Sequence, residues 1–135
     1  LSEHRLGNLL YQKDRQEFIL SSKVGRVYRP FKGDPVLFDG SPWAGGLPFE
    51  WRFDYSAVGF ERSFIDSTMR LGLNRINLLV IHDLDCSYHG ESVTKKLHEL
   101  ESGMDWLRNM KNLEIICAWK EVRLLLFRVQ KVGYR

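Results

Sequence analysis

Cysteine is scarce in this chain. Its 135 residues include Cys86 and Cys117 and no CxxC pair, which supports neither a disulfide framework nor a structural zinc site and fits a reducing cytosol best. No apolar run reaches the roughly 18 residues needed to span a bilayer, so no membrane role is expected. Charge of one sign is also lacking. The formal net charge is +3, and the basic residues (Arg26, Arg29, Lys95, Lys96, Lys111, Arg128) are scattered, without the stripe a nucleic-acid partner would need. Neither GxGxxG nor GxxxxGK occurs, and Trp43-Ala44-Gly45-Gly46 follows a proline loop instead of opening a helix, so no phosphate cradle is recognisable. The chain opens Leu1-Ser2-Glu3-His4 without Met or a leader, an absence from which nothing follows.

What is present is an ordinary globular composition, 44% hydrophobic and 27% charged, which excludes overall disorder. Ser2 and Glu3 suit a helix start, with Leu6, Leu9 and Leu10 on one face. Phe18-Ile19-Leu20 reads as a buried strand running into Ser21-Ser22-Lys23. Val24 to Asp54 holds all four prolines, interleaved with glycines and aromatics, and reads as a long loop with too many breakers for regular structure. A second helix starts near Ser56, with Phe60, Phe64, Ile65 and Met69 as its apolar face and Gly72 as its stop. Ile76 to Ile81 is the clearest strand, and it ends on His82. Leu97, Leu100, Met104, Leu107 and Met110 follow at helical spacing, with a break allowed at Gly103, and Leu113 to Trp119 has the makings of a further strand. This alternation of helices and strands points to an α/β fold with a parallel sheet.

In such folds reactive groups gather where strands end at their carboxyl side. Lys23 and His82 both sit at such ends, and together a lysine and a histidine can polarise a carbonyl or lower the pKa of a nearby acid. The plainer alternative has Lys23 leading into a solvated loop and His82 bonding a backbone carbonyl, and spacing leaves both open. Asp83 and Asp85 could serve as general acid and base, or as capping groups. His82, Asp85 and His89 could belong to a metal-dependent hydrolase, although their spacing matches no standard zinc or calcium pattern, so no metal site is assigned. The aromatic loop is either a packed surface cover or a lid over substrate.

Three segments together resemble the aldo/keto reductase family. Ser2-Glu3-His4-Arg5-Leu6-Gly7-Asn8-Leu9-Leu10 is similar to the helix after the family's catalytic tyrosine. Ile19 to Arg26 resembles the strand presenting its catalytic lysine. Ser63 to Ser67 with Arg70 to His82 looks like the helix and strand ending in its catalytic histidine. The Trp43 to Glu50 loop and Asp54-Tyr55-Ser56 resemble the branch containing D-threo-aldose, L-fucose, L-galactose and pyridoxal dehydrogenases.

The resemblance implies a partial (β/α)8 TIM barrel, from roughly the second helix through the fourth helix with a fifth strand at most, where the whole barrel needs about 250 residues. It covers residues 1–119, with 24–54 as a long substrate-side loop and 120–135 as a divergent tail. It further implies an NAD(P)-dependent oxidoreductase, using NAD or NADP, acting on a small-molecule carbonyl, sugar or related alcohol in the cytoplasm. Lys23 would be the catalytic lysine and His82 the catalytic histidine, with cofactor-binding residues unassigned. The family's tyrosine and aspartate have no counterpart here, so the chain is expected to be an internal fragment, inactive alone and with little cofactor affinity. Asn77 stands where an aspartate is common, which should affect packing or local charge. After Trp119 the likeness is lost, which suggests a changed frame, altered splicing or a pseudogene-like end. Exposed sheet edges and helix faces favour self-association or capture by other proteins as a non-catalytic product.

Overall fold

The computed structural model describes residues 1–35 and 46–121. Most of the Trp43 to Gly46 motif and nearly all of the tail expected to diverge lie outside the described residues. Helix α1 spans Ser2–Leu10 and a 3-10 turn spans Arg15–Glu17. Strands β1 (Ser21–Val24), β2 (Arg26–Pro30) and β3 (Phe49–Phe53) precede helix α2 (Ala57–Leu71). Strand β4 (Leu78–Ile81), helices α3 (Cys86–His89) and α4 (Val93–Asn112), and strand β5 (Ala118–Glu121) complete the order.

The main sheet is parallel, in the order β1-β4-β5. Central β4 is paired on both sides, which explains its unbroken Leu78-Leu79-Val80-Ile81 sequence. Leu79 and Ile81 are fully buried with Val24, toward the layer of α2 and α4 that supplies Phe60 and Leu107. The first strand begins three residues later than its apolar run suggests, and Ile19 is 84% exposed. Asp14 accepts from the Gln16 N–H and Arg15 donates to the Phe18 carbonyl, so these residues form a turn. Polar Ser21-Ser22-Lys23 becomes strand because β4 offers it a ladder.

The Val24 to Asp54 segment is not wholly irregular, contrary to the loop expectation. Strands β2 and β3 form an antiparallel pair with Arg26 opposite Phe53, Tyr28 opposite Trp51 and Pro30 opposite Phe49. Proline is tolerated there because Pro30 ends its strand and needs no ladder donor. Helix α4 is likewise unbroken at Gly103. It packs so closely that a Cβ at Gly103 would lie 2.2 Å from the Tyr55 carbonyl oxygen.

Helix α2 starts and stops where expected. Ser56 Oγ accepts from the Gly59 N–H, and Gly72 closes the helix in the left-handed region at φ 66°. Its buried face differs, however: Ile65 and Met69 are 45% and 75% exposed, whereas Gly59, Phe60, Ser63, Ser67 and Leu71 are buried. Small residues let α2 approach the strands, with Ser63 Oγ accepting from the Gly25 N–H and donating to the Gly59 carbonyl. The α1 stripe is rotated in the same way. Gly7 faces Leu71, where a Cβ would lie 2.3 Å from the carbonyl oxygen, and Leu6 and Leu9 turn outward. Leu1, not Ser2, occupies the cap position, without a side-chain capping bond.

Candidate active site

The parallel pairing of β1 with β4 positions both sequence-selected residues. Lys23 lies opposite Val80 and Val24 opposite Ile81, and the His82 N–H continues the ladder by donating to the Val24 carbonyl at 2.9 Å. Alternation along a strand sends Val80 and His82 to one face and Ile81 to the other. Lys23, in register with Val80, shares the face of His82, away from the buried Val24 and Ile81 layer. Lys23 is exposed and His82 half-buried.

His82 is held from several sides. Its Nδ1 lies 2.6 Å from Asp83 Oδ2, and Arg26 donates to that oxygen at 2.7 Å. The Arg26 guanidinium stands over the rings of Trp51 and Phe53, 4.7 and 5.1 Å from their centroids, so the hairpin delivers a buried cation to the end of β4. Tyr55, fully buried, donates its hydroxyl to the His82 carbonyl at 2.8 Å and meets His89 Nε2 at 2.7 Å. Phe53 stacks on Tyr55 and meets the edges of His82 and His89, which ties the hairpin to α3.

These surroundings set the charge states. Burial, with the Arg26 and Lys23 cations adding to it, brings His82 down to about 4, although Asp83 pulls the other way. Burial and then Lys96 lower His89 as well. Burial first, then the Asp83 charge, pushes the Tyr55 hydroxyl well above the usual phenol range, so Tyr55 is a fixed donor.

The acidic residues have separate duties. Asp85 Oδ1 accepts from the Ser87 and Tyr88 N–H groups and caps α3, while Asp83 pairs with Arg26. His89 is engaged by Tyr55, and among the described residues no group of three His, Cys, Asp or Glu side chains is gathered to hold a metal. Sequence reasoning missed Arg26 and the place of Tyr55. Their only signal was position, Arg26 just beyond a buried strand and Tyr55 just before a capped helix, and spacing cannot show that both converge on His82.

Comparisons with known proteins identify the family and the fold. The aldo/keto reductase family model matches residues 1–111. Pyridoxal 4-dehydrogenase of Microbacterium luteolum is 38% identical over 96 residues, covering 66% of this chain and 28% of that protein. D-threo-aldose 1-dehydrogenase of a Pseudomonas species is 41% identical over 87 residues, covering 62% of this chain and 26% of that protein. The chain therefore spans about a quarter of the length of these curated relatives. Two solved structures share the fold. Aldo-keto reductase AKR11C1 from Bacillus halodurans, in its holo form, has a TM-score of 0.55 at 21% identity, over 94% of this chain and 34% of that one. Glycerol dehydrogenase AKR11B4 from Gluconobacter oxydans has a TM-score of 0.57 at 16% identity, over 96% of this chain and 32% of that one. With a parallel sheet backed by helices, these residues form part of a TIM barrel, and the chain belongs to the aldo/keto reductase family.

Proposed function

We propose that these residues carry the lysine and histidine corner of an NAD(P)-dependent oxidoreductase that moves a hydride between nicotinamide and an aldose, aldehyde or related alcohol. The observation that carries this reading is the register that sets Lys23 and His82 on one face of adjacent parallel strands. The family match and the names of the two curated relatives support the reaction class and a sugar-like or pyridoxal-like substrate. A bound nicotinamide supplies or takes the hydride. The side chains here hold charge and position around it. The positive charge of Lys23 stabilises a phenolate and so lowers the pKa of a neighbouring tyrosine. His82, neutral above about pH 5, fixes the substrate oxygen by a hydrogen bond. Both groups fit the reacting end of the cofactor. The cofactor is NAD or NADP, and its phosphates are held by later parts of the barrel.

Two measurements test this. The 135-residue chain, mixed with NADPH and an aldose, is expected to give no loss of nicotinamide absorbance and little cofactor binding. Sustained stoichiometric turnover would refute that part. A chimaera carrying residues 1–111 in place of the matching segment of the D-threo-aldose 1-dehydrogenase is expected to turn over. Lys23→Met or His82→Gln should then lower kcat by roughly 10² to 10⁴. Near-parental kcat in both variants would remove the assignment of these residues. Free, exposed Cys86 and Cys117 support a reducing, cytoplasmic setting.

A second reading, an associating product without catalysis, is favoured by outward-facing Leu9, Ile65 and Met69. Co-purification with a full-length reductase of the family is its test.

A further inference from the structure

A buried tyrosine hydroxyl is costly unless it is hydrogen-bonded, and it has one proton to give. Tyr55 is fully buried, and its hydroxyl donates to the His82 carbonyl at 2.8 Å. A carbonyl can only accept, so the proton goes there and the hydroxyl oxygen is left facing His89 Nε2 at 2.7 Å. The place of this bond matters. Just past the His82 N–H bond to Val24, both chains leave the ladder, Gly25 at φ 98° and Asp83 at φ 45°. A side chain thus takes over the hold on the residue that follows β4. Tyr55 itself has little freedom. Its ring stacks on Phe53 at 5.8 Å and meets Phe60 edge-on at 6.5 Å. A Cβ at Gly25 would lie 2.8 Å from Tyr55 Cδ1, and one at Gly103 would lie 2.2 Å from the Tyr55 carbonyl oxygen. To either side, the Asp54 N–H donates to the Gly25 carbonyl and Ser56 caps α2. The hydroxyl is therefore delivered to one point by β3, α2 and α4 together.

Resting on the oxidoreductase reading, we propose that Tyr55 is a positioning residue, which holds the His82 backbone and so sets the place of the imidazole against the substrate oxygen. In this role Tyr55 touches neither substrate nor cofactor, and its proton stays on its own oxygen. The carbonyl and the imidazole hang on the same Cα, so freeing the one loosens the backbone that carries the other. A misplacement on the order of 1 Å at a positioning group can cost about a hundredfold in rate. The Asp83 carboxylate, paired with Arg26, lies 2.6 Å from His82 Nδ1 and limits the ring as well, so the expected effect is partial.

The test is a cycle of Tyr55→Phe and His82→Gln in the chimaera. Phenylalanine keeps the packed ring and removes only the hydroxyl, while glutamine keeps the backbone carbonyl and removes only the imidazole. Tyr55→Phe is expected to lower kcat about tenfold when His82 is present and to change it little in the His82→Gln background. A hydroxyl that serves only the fold would act alike in both, because its carbonyl acceptor remains. Equal losses in the two backgrounds therefore overturn the inference, as does an unchanged kcat in Tyr55→Phe by itself. Gly72→Ala, which loosens the end of α2 away from the site, should leave kcat as it was. A tenfold loss there too would assign the effect to general loosening and overturn the positioning role. In the 135-residue chain, without cofactor or substrate, the His82 ring should give one sharp set of ¹H–¹³C signals, identified by their loss in His82→Gln. Tyr55→Phe should divide or broaden that set, and ring signals as sharp as before would count against the role. No turnover in a folded, unmodified chimaera would sink the oxidoreductase reading alone, because the ring signals are read without any reaction.

Discussion

The charge state of His82 bears directly on stability. Its ordinary value of 6.5 falls to about 4 in the folded chain, because burial and the Arg26 charge disfavour the imidazolium. Between those values the unfolded chain binds more protons than the folded one, so stability rises with pH through this window. The contribution is complete above about 6.5 and is lost as pH falls toward 4. His89, lowered by burial and Lys96, acts in the same direction. Glu3 adds to it further down. Burial alone would raise its carboxyl, but Ser22 and Arg70 bring it below the usual range, so its stabilisation is also lost in acid. The urea midpoint is expected to fall from pH 7 to pH 4.5, and His82→Gln should flatten that fall by at most about 1.4 kcal/mol per pH unit. A wild-type midpoint independent of pH in this range would contradict the half-buried, neutral histidine. Asn77, expected to act on packing or local charge, accepts from the Leu20 N–H and from Arg15, and so ties the entry of β1 to β4.

At the scale of elements, glycines separate close approach from backbone conformation. Gly103 is where α4 crosses the Tyr55 carbonyl, and an added methyl would collide with backbone that cannot move aside. Gly103→Ala is expected to cost about 1–3 kcal/mol in urea unfolding, with the Tyr55 and His82 contacts disturbed as well. Gly72→Ala meets open space and bears only the left-handed penalty, about 1 kcal/mol. A larger loss at Gly72 than at Gly103 would show that the α4 crossing is looser than described. The same distinction explains what the sequence revealed of these elements. The extent of α2 was legible because Ser56 and Gly72 are local signals with local causes. Its buried face was not, because Ser63 and Ser67 are polar residues chosen for size, and periodicity read Ile65 and Met69 as core. The β2–β3 pair was hidden by prolines that mark irregular chain on average and are harmless at a strand end.

Across the whole molecule, the layers are unequally covered. One face of the sheet packs on α2 and α4, while Lys23 stands exposed on the other and Leu78 and Val80 are only half-buried. Strand β1 is an end strand of its sheet among the described residues, and Leu6, Leu9, Val58, Ile65 and Met69 face outward from the helices. Self-association is the expected consequence. Sedimentation of the chain should show concentration-dependent oligomers, and Leu9→Lys with Met69→Lys should shift them toward monomer. A monomer at all concentrations would remove that expectation.

The sequence by itself determined the family, the α/β order, the limits of α2 and the place of Lys23 and His82 near strand ends. Each of these is written in short-range patterns: caps, branched apolar runs and motifs in fixed order. Only the tertiary structure decided that Arg26, Asp83 and Tyr55 converge on His82, that α1 turns its leucines outward, and that a hairpin occupies the proline-rich stretch. The reason is that these outcomes depend on how closely backbones approach and which charges share a buried space. Those distances are set between residues tens of positions apart, and no local pattern records them.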